Sequence, residues 1–265
     1  MIFPSSHTHT HTQPLSTQKD SRWNEWFLDG EALEAIERDV RRTLPTLHFF
    51  SQEGGGRVHA RALRDALFVY SKLNKATRYV QGMNEVLAPL YYVFASDSGT
   101  STEEAEADSF FCLSALLAES VDCFCKQLDH SMLDSHSTIG RFHALLAVLD
   151  PVLFRNMHEK TLDPRFYSLR WLSLLFSQEF ELPDVLRLWD SLFGDHRRFE
   201  FLLFFACAAI ILQRDSILSQ GFSENLFLLQ NYPPTDMNLL IAKARELRAR
   251  TDPAALESWA FGMGA

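Results

Sequence analysis

Two short segments in the first third of the chain carry the side chains best placed to do chemistry. The first reads IERDVRRTLP over residues 36–45, and the second reads YVQGMN over residues 79–84. On a helix, Ile36, Asp39 and Arg42 are three residues apart and share roughly one face. A carboxylate at position 39 can therefore pair with the guanidinium of Arg42 and hold its planar fork in one orientation. The alternative is a routine surface ion pair, worth a few tenths of a kcal/mol.

The second segment predicts a loop that turns into a helix. Gly82 allows a tight turn or a close approach of the backbone. Gln81 would then stand at the entrance of the helix, where its amide can project towards a bound partner, with Tyr79 and Met83 packed beneath it. Taken alone, this segment is also compatible with an ordinary junction between a loop and a helix.

Other catalytic patterns are missing from the sequence. Gly54-Gly55-Gly56 is followed by Arg57, without the Lys-Ser/Thr pair of a phosphate-binding loop, and neither Gly-x-Ser-x-Gly nor His-Glu-x-x-His occurs. The cysteine spacing fits neither a disulfide framework nor a zinc site, which indicates a reducing, cytosolic compartment. The cysteines are Cys112, Cys123, Cys125 and Cys207, of which Cys112 and Cys207 lie in apolar runs and are predicted to be buried thiols.

Charge and hydropathy exclude several classes of partner. The 265 residues carry a formal net charge of −9, so the chain has no general electrostatic reason to bind nucleic acid or an anionic membrane. The longest apolar run covers residues 201–212, too short to span a bilayer, and no secretory signal is visible. The hydrophobic content of 46% is enough for a sizeable core.

The elements that must position the two segments are predicted to be helices. Apolar residues recur at steps of three and four, and no strand pairs are visible. The predicted helices are 31–44, 58–73, 80–94 with a kink at Pro89, 103–118, 139–149, 166–180, 184–192, 199–212, 222–229, 236–248 and a short last helix after Asp252-Pro253. The fold class is therefore all-α, in two lobes at about 21–130 and 131–265. Residues 1–20 are polar and repetitive, and we interpret them as a disordered tail in which His7, His9 and His11 reflect low complexity and not a metal site.

Taken together, the two segments resemble the signatures of the TBC-domain family of Rab GTPase-activating proteins, Ile-x-x-Asp-x-x-Arg and Tyr-x-Gln-Gly-Met. Both occur here in the expected order. Residues 170–180 and 186–190 resemble the family's conserved stretch in its second lobe, where Arg170, Trp171, Trp189 and Asp190 are interpreted as structural. The resemblance extends from about residue 23 to about residue 245, and residues 79–94 and 105–111 are most like the member-13 branch.

The resemblance implies a GTPase-activating protein with two catalytic residues supplied in trans. Arg42 would neutralise charge on the phosphates, Gln81 would orient the attacking water, and Asp39 would orient Arg42. The supporting or partner-contacting residues would be Ile36, Asp39, Arg41, Tyr79, Gly82, Met83 and Asn84. The partner would be a Rab GTPase in its GTP form, which brings its own GTP and Mg²⁺, so no cofactor is expected on this chain. A cytoplasmic protein in vesicle trafficking, recruited peripherally to membranes through the Rab, follows from the same resemblance.

One departure from the family's pattern leaves an alternative open. Family members begin with helices upstream of the arginine segment, whereas here only about 15 residues of ordered sequence precede Ile36. A truncated or compact first lobe would expose apolar surface. The alternative function is a catalytically inactive, Rab-binding scaffold with the same helical fold. A helical adaptor unrelated to GTPases would require both motifs to be coincidental.

Overall fold

The computed structural model describes residues 22–51, 54–119 and 137–251. The described residues form helices and turns without any strand, so the predicted all-α class is confirmed. The chain divides into two compact units, Met1–Asn84 and Glu85–Ala265. The predicted tail, the lobe junction near residue 130 and the helix after Asp252 lie outside the described residues, as do Cys123 and Cys125. The predicted pair of lobes therefore stays a prediction.

The first unit is built on two long helices, α1 (Arg22–Arg41) and α2 (Gly56–Leu73), with a 3₁₀ turn at His48–Phe50 between them. The apolar faces of the two helices pack together, and Ile36 of α1 and Leu63 and Leu67 of α2 are fully buried. Two ion pairs add to the packing: Lys72 of α2 to Asp29 of α1 at 2.6 Å, and Lys75, just after α2, to Glu25 of α1 at 3.1 Å.

Helix α1 differs from its predicted extent at both ends. It begins at Arg22, nine residues before the predicted start at residue 31, and runs through Asp29-Gly30. Packing against α2 outweighs the cost of about 1 kcal/mol for a glycine inside a helix. The helix ends at Arg41 because Leu44 adopts a left-handed conformation with φ 42° and Pro45 follows. The solvent-facing side of α1 leaves Trp26 and Phe27 exposed.

Helices α3 (Met83–Ala95) and α4 (Thr102–Glu119) follow, and their predicted positions are confirmed within a few residues. Helix α3 continues through Pro89. Helix α4 starts with a reciprocal cap in which Ser101 N–H donates to Glu104 Oε2 at 2.9 Å and Glu104 N–H donates to Ser101 Oγ at 3.2 Å. Cys112 of α4 is exposed, so its predicted burial was wrong.

The rest of the second unit packs around one helix that is apolar on all sides. The elements are α5 (Thr138–Leu149), α6 (Pro151–Glu159), a 3₁₀ turn (Pro164–Phe166), α7 (Ser168–Ser173), α8 (Leu182–Phe193), α9 (Arg198–Leu212), α10 (Arg214–Ser219), α11 (Phe222–Gln230) and α12 (Met237–Arg250). Helix α9 packs against α12, α5, α7 and α8. All of its residues from Phe201 to Ile210 are buried, including Cys207 as predicted.

The second unit departs from the predicted helices in three places. Helices α6 and α10 were not predicted. The single helix predicted over 166–180 is wrong, because α7 ends at Ser173 and the chain then turns through Leu175 and Phe176 with φ 51° and 62°. Both side chains are buried, so tertiary packing holds a backbone conformation that L-residues normally avoid.

Candidate functional site

The site is organised around the buried carboxylate of Asp39, near the end of α1. Asp39 is 5% exposed. Its Oδ1 pairs with an Nη of Arg42, and its Oδ2 accepts a hydrogen bond from the hydroxyl of Tyr79 at 2.6 Å. Hydrogen bonds to an ionised carboxylate are stronger than those between neutral groups. One side chain therefore joins the arginine segment to the glutamine segment, although 40 residues separate Asp39 from Tyr79.

Arg42 lies one residue beyond the last residue of α1. The backbone N–H groups of Arg42 and Thr43 bond the carbonyls of Asp39 and Val40 at 3.1 and 3.2 Å, which tightens the final turn. The Arg42 side chain is 60% exposed, whereas that of Asp39 is 6% exposed. A guanidinium has five N–H donors, and one nitrogen of Arg42 is held by Asp39. Arg42 is thus anchored at one corner while the remainder of its fork faces solvent.

Asn84 and Thr43 are the buried members that complete the hydrogen-bond network. Asn84 is 2% exposed; its Oδ1 accepts from the N–H of Gly82 at 3.2 Å and lies 3.2 Å from the Tyr79 hydroxyl. Its Nδ2 donates to Thr43 Oγ1 at 2.8 Å, and the Thr43 hydroxyl donates to the carbonyl of Asp39 at 2.9 Å. Each buried polar group in this network therefore has a partner, which favours one conformation of the site.

The loop that carries Gln81 is shaped by two residues with positive φ, Arg78 at 52° and Gly82 at 101°. Glycine adopts such a conformation without the steric cost that a Cβ brings. Met83 is 1% exposed, and its sulfur accepts a hydrogen bond from the N–H of Val80 at 3.4 Å. Gln81, between these anchored residues, is exposed. The loop therefore holds the backbone of Gln81 while its amide faces solvent.

The structure brings most of the predicted site residues together. Asp39, Arg42, Tyr79, Gly82 and Asn84 share one hydrogen-bond network. Four predicted residues lie outside it, of which Met83 is buried and accepts a hydrogen bond from the N–H of Val80. Ile36 is fully buried in the packing of α1, Gln81 is linked to the network only through the chain, and Arg41 is exposed with Glu37 as an ion-pair partner at 3.9 Å. Sequence reasoning missed Thr43, which only its position next to Arg42 could have suggested.

The second-lobe residues that were interpreted as structural form a separate cluster in the second unit. Arg170 Nε and Nη2 bond both oxygens of Glu179 at 2.5 and 2.9 Å, and the same Nη2 donates to the carbonyl of Gln230 at 2.6 Å. Burial raises the pKa of Glu179, and the hydrogen bonds and charge of Arg170 oppose that rise only in part. Trp189 Nε1 donates to the carbonyl of Leu175 at 3.0 Å. These contacts tie turns and helices together within the unit.

Two classes of feature are not found in the part of the chain that the structure describes. None of the helices in residues 22–51, 54–119 and 137–251 is both long and apolar enough to cross a bilayer. The same ranges contain no group of three or more His, Cys, Asp or Glu side chains arranged to hold a metal ion.

Comparison with known proteins assigns the sequence to a family. Residues 5–218 match the family model of the Rab-GTPase-TBC domain. TBC1 domain family member 13 of Mus musculus is 36% identical, with 89% of this chain and 74% of that protein covered. TBC1 domain family member 5 of Homo sapiens is 30% identical, with 89% of this chain and 34% of that protein covered.

Solved structures show the same fold. The Ypt/Rab-GAP domain of Gyp1p superposes with a TM-score of 0.73 at 21% identity, covering 90% of this chain and 77% of that one. The Chlamydomonas flagellar RabGAP TBC domain superposes with a TM-score of 0.60 at 23% identity, covering 83% and 71%. The chain therefore belongs to the RabGAP-TBC family, in which it is similar to the member-13 branch.

Proposed function

We propose that this chain accelerates GTP hydrolysis by a Rab-type GTPase in its GTP form, with Arg42 and Gln81 supplied in trans, and that it acts in vesicle trafficking. Membership of the RabGAP-TBC family supports Rab GTPase activation in general. The single observation that supports the two-residue mechanism is the buried Asp39 carboxylate, which bonds both Arg42 and Tyr79 and so couples the two segments.

The proposed role of Arg42 follows from the charge that develops during hydrolysis. Negative charge builds on the phosphate oxygens in the transition state, and an arginine inserted by a second protein stabilises it; for Ras this accelerates hydrolysis roughly 10³–10⁵-fold. Catalysis of this kind depends on charge that is already oriented before the reaction begins. Asp39 holds one corner of the Arg42 guanidinium, and 60% of the side chain reaches solvent, where a partner can meet it. A lysine would lack the planar fork.

The proposed role of Gln81 is to orient the attacking water. A side-chain amide offers both a donor and an acceptor, so it can hold a water molecule in line with the phosphate. The left-handed Gly82 and the buried Met83 and Asn84 hold the backbone next to Gln81. GTP and Mg²⁺ would arrive with the Rab, and recruitment to membranes would follow the Rab as well.

The test is single-turnover phosphate release from a panel of GTP-loaded Rab proteins. We expect the chain to accelerate at least one Rab strongly. Arg42→Ala should lower that acceleration by about 10³-fold. Gln81→Ala should lower it by about 10²-fold, the usual cost of one positioned hydrogen-bonding group. Circular dichroism and urea unfolding of each variant establish that the loss is not a loss of fold.

Exposed residues of the same types elsewhere provide matched controls. Arg245→Ala on α12 and Gln178→Ala after α7 remove an exposed arginine and an exposed glutamine from the second unit and should leave the rate unchanged. A folded chain that binds a GTP-loaded Rab without accelerating it would contradict the proposal and favour the alternative, a Rab-binding scaffold without turnover.

A further inference from the structure

Four of the seven described residues that line a small cavity between α1 and α2 are arginines. Its volume is about 180 Å³. Val40 and Ala60, both buried, line it together with Glu37, which is the acidic residue among the described lining residues. The basic lining residues are Arg41, Arg57, Arg61 and Arg64. The small side chain of Ala60 leaves space between the two helices for a group that enters from outside.

Two carboxylates of the described residues, Glu37 and Asp65, lie near three of these arginines. Glu37 lies 3.9 Å from Arg41 and 3.7 Å from Arg64, distances beyond those of a hydrogen bond. Asp65, which does not line the cavity, bonds Arg64 at 2.7 Å and lies 3.4 Å from Arg61. Among the described residues, four arginines and one carboxylate line the cavity, in a chain whose formal net charge is −9. A concave surface lined by one sign of charge concentrates the electrostatic potential.

The position of the cavity connects it to the proposed activity. Arg41 lines the cavity, and Arg42 is the next residue, with its Cα about 3.8 Å away. A GTPase that receives Arg42 in its active site must therefore cover the surface around Arg41. An acidic side chain of that GTPase would meet the cavity at the rim of the contact.

We propose that this cavity, defined as the arginine pocket, takes an Asp or Glu side chain from the surface of the partner GTPase; this inference rests on the proposed function. Guanidinium forks match carboxylates bidentately. The volume of about 180 Å³ equals that of roughly six water molecules, which suits a single acidic side chain with a few waters. Charge complementarity of this kind acts on encounter and affinity, so the arginine pocket sets KM and its salt dependence, and Arg42 and Gln81 set kcat.

The test uses charge reversal at Arg61, whose side chain is 75% exposed and makes only a long contact to Asp65. The full chain and its Arg61→Glu variant are assayed by multiple-turnover hydrolysis on the Rab that the panel identifies, across a series of KCl concentrations. We expect KM to rise about tenfold at low salt, kcat to stay within about twofold, and the salt dependence of kcat/KM to weaken. Arg61→Gln should give an intermediate KM and guards against misfolding of the reversed variant.

Arg245→Glu is the matched control, because it makes the same change of net charge on an exposed helix surface in the second unit. A Rab variant with one surface Asp or Glu changed to Lys should lower the KM of Arg61→Glu towards the parent value. The same Rab variant should raise the KM of the parent chain. Equal KM values for Arg61→Glu and Arg245→Glu would overturn the proposal for the arginine pocket. A rate loss in Arg42→Ala would still support the proposed function in that case. Failure of the parent chain to accelerate any Rab would overturn both.

Discussion

Among the described residues, two carboxylates with almost fully buried side chains each hold an arginine, one in each compact unit. The side chains of Asp39 and Glu179 are 6% and 2% exposed, and those of their partners Arg42 and Arg170 are 60% and 44% exposed. Arg170 uses two nitrogens for both oxygens of Glu179 and also bonds the carbonyl of Gln230. Arg42 gives one nitrogen to Asp39, whose second oxygen binds Tyr79.

The two pairs differ in how many hydrogen bonds each guanidinium makes within the chain. The planar fork of Arg170 makes three hydrogen bonds to acceptors within its own unit, which is consistent with a role in holding the fold together. The fork of Arg42 is fixed at one corner and open along the rest, which is the state that recognition of a phosphate requires. We therefore expect the ion pair of Arg170 to serve stability and that of Arg42 to serve presentation to a partner, and mutation should separate the two roles.

The largest difference in rate between the two regions is expected when the charge of each buried acid is removed. Asp39→Asn keeps the shape of the side chain but no longer holds Arg42 by charge, and we expect kcat to fall by about 10²-fold, the usual cost of misplacing a catalytic group. Glu179→Gln should leave the rate per folded molecule within about twofold. Single-turnover phosphate release from a GTP-loaded Rab, normalised to the folded fraction, measures both. Equal losses in the two variants would show that the pairs do not differ in role.

The next effect should appear in stability, because Arg170→Ala leaves Glu179 buried without its partner. Breaking a buried pair costs about 3–5 kcal/mol, and we expect about 2 kcal/mol here since 44% of the Arg170 side chain reaches solvent. Urea unfolding measures the free energy of unfolding. Arg42→Ala is the comparison variant and should lose less than about 1 kcal/mol, as its own side chain is more exposed.

The stability of Arg170→Ala should also depend on pH differently from that of the parent chain. Burial raises the pKa of Glu179 above its ordinary value of 4.5, and Arg170 opposes the rise. Without Arg170, the folded-state pKa of Glu179 rises further above the unfolded value, so the folded state binds the proton more tightly than the unfolded state. Stability is then lost as pH increases through that folded-state pKa. The deficit of Arg170→Ala relative to the parent should therefore be larger at about pH 8 than at about pH 5, and a deficit independent of pH would contradict this account.

The smallest effects are expected from two tyrosine hydroxyls. Tyr79→Phe removes one hydrogen bond from Asp39 and should lower kcat about tenfold. Arg42 keeps its ion pair with Asp39, but the Asp39 carboxylate is held less firmly. Tyr232→Phe removes the 2.9 Å hydrogen bond to the carbonyl of Ala209 and should cost about 1 kcal/mol of stability without changing the rate. The pair is measured by phosphate release and by urea unfolding, and a rate loss in Tyr232→Phe would weaken the assignment of Tyr79.

Local signals in the sequence were sufficient for most helices and for part of the site. The period of the apolar residues placed α2, α8, α9 and α12 within a few residues. In the structure Asp236 caps α12 by accepting from the N–H of Asn238. The spacing of Asp39 and Arg42 predicted their pairing, which the structure contains. Helix α6 was not predicted although the sequence contains a signal for its start, an Asp150 that caps it and a Pro151 at its first position.

The remainder depends on contacts that no local pattern encodes. The hydrogen bond from Tyr79 to Asp39 joins residues 40 positions apart, and Thr43 gains its place only because Asn84 packs over it. The left-handed Leu175 and Phe176 are held by burial of their side chains against the preference of the backbone. Each of these features appears only when distant segments are already assembled.

The complete burial of α9 also determines how the second unit can come apart. A helix with one solvent-facing side can fray or detach while its neighbours stay folded, but α9 has no such side between Phe201 and Ile210. Its amide hydrogens can therefore exchange with solvent only in openings that release the surrounding helices as well. Such openings expose ten successive apolar residues at once, so the helix that unifies the core also makes its loss abrupt and prone to aggregation.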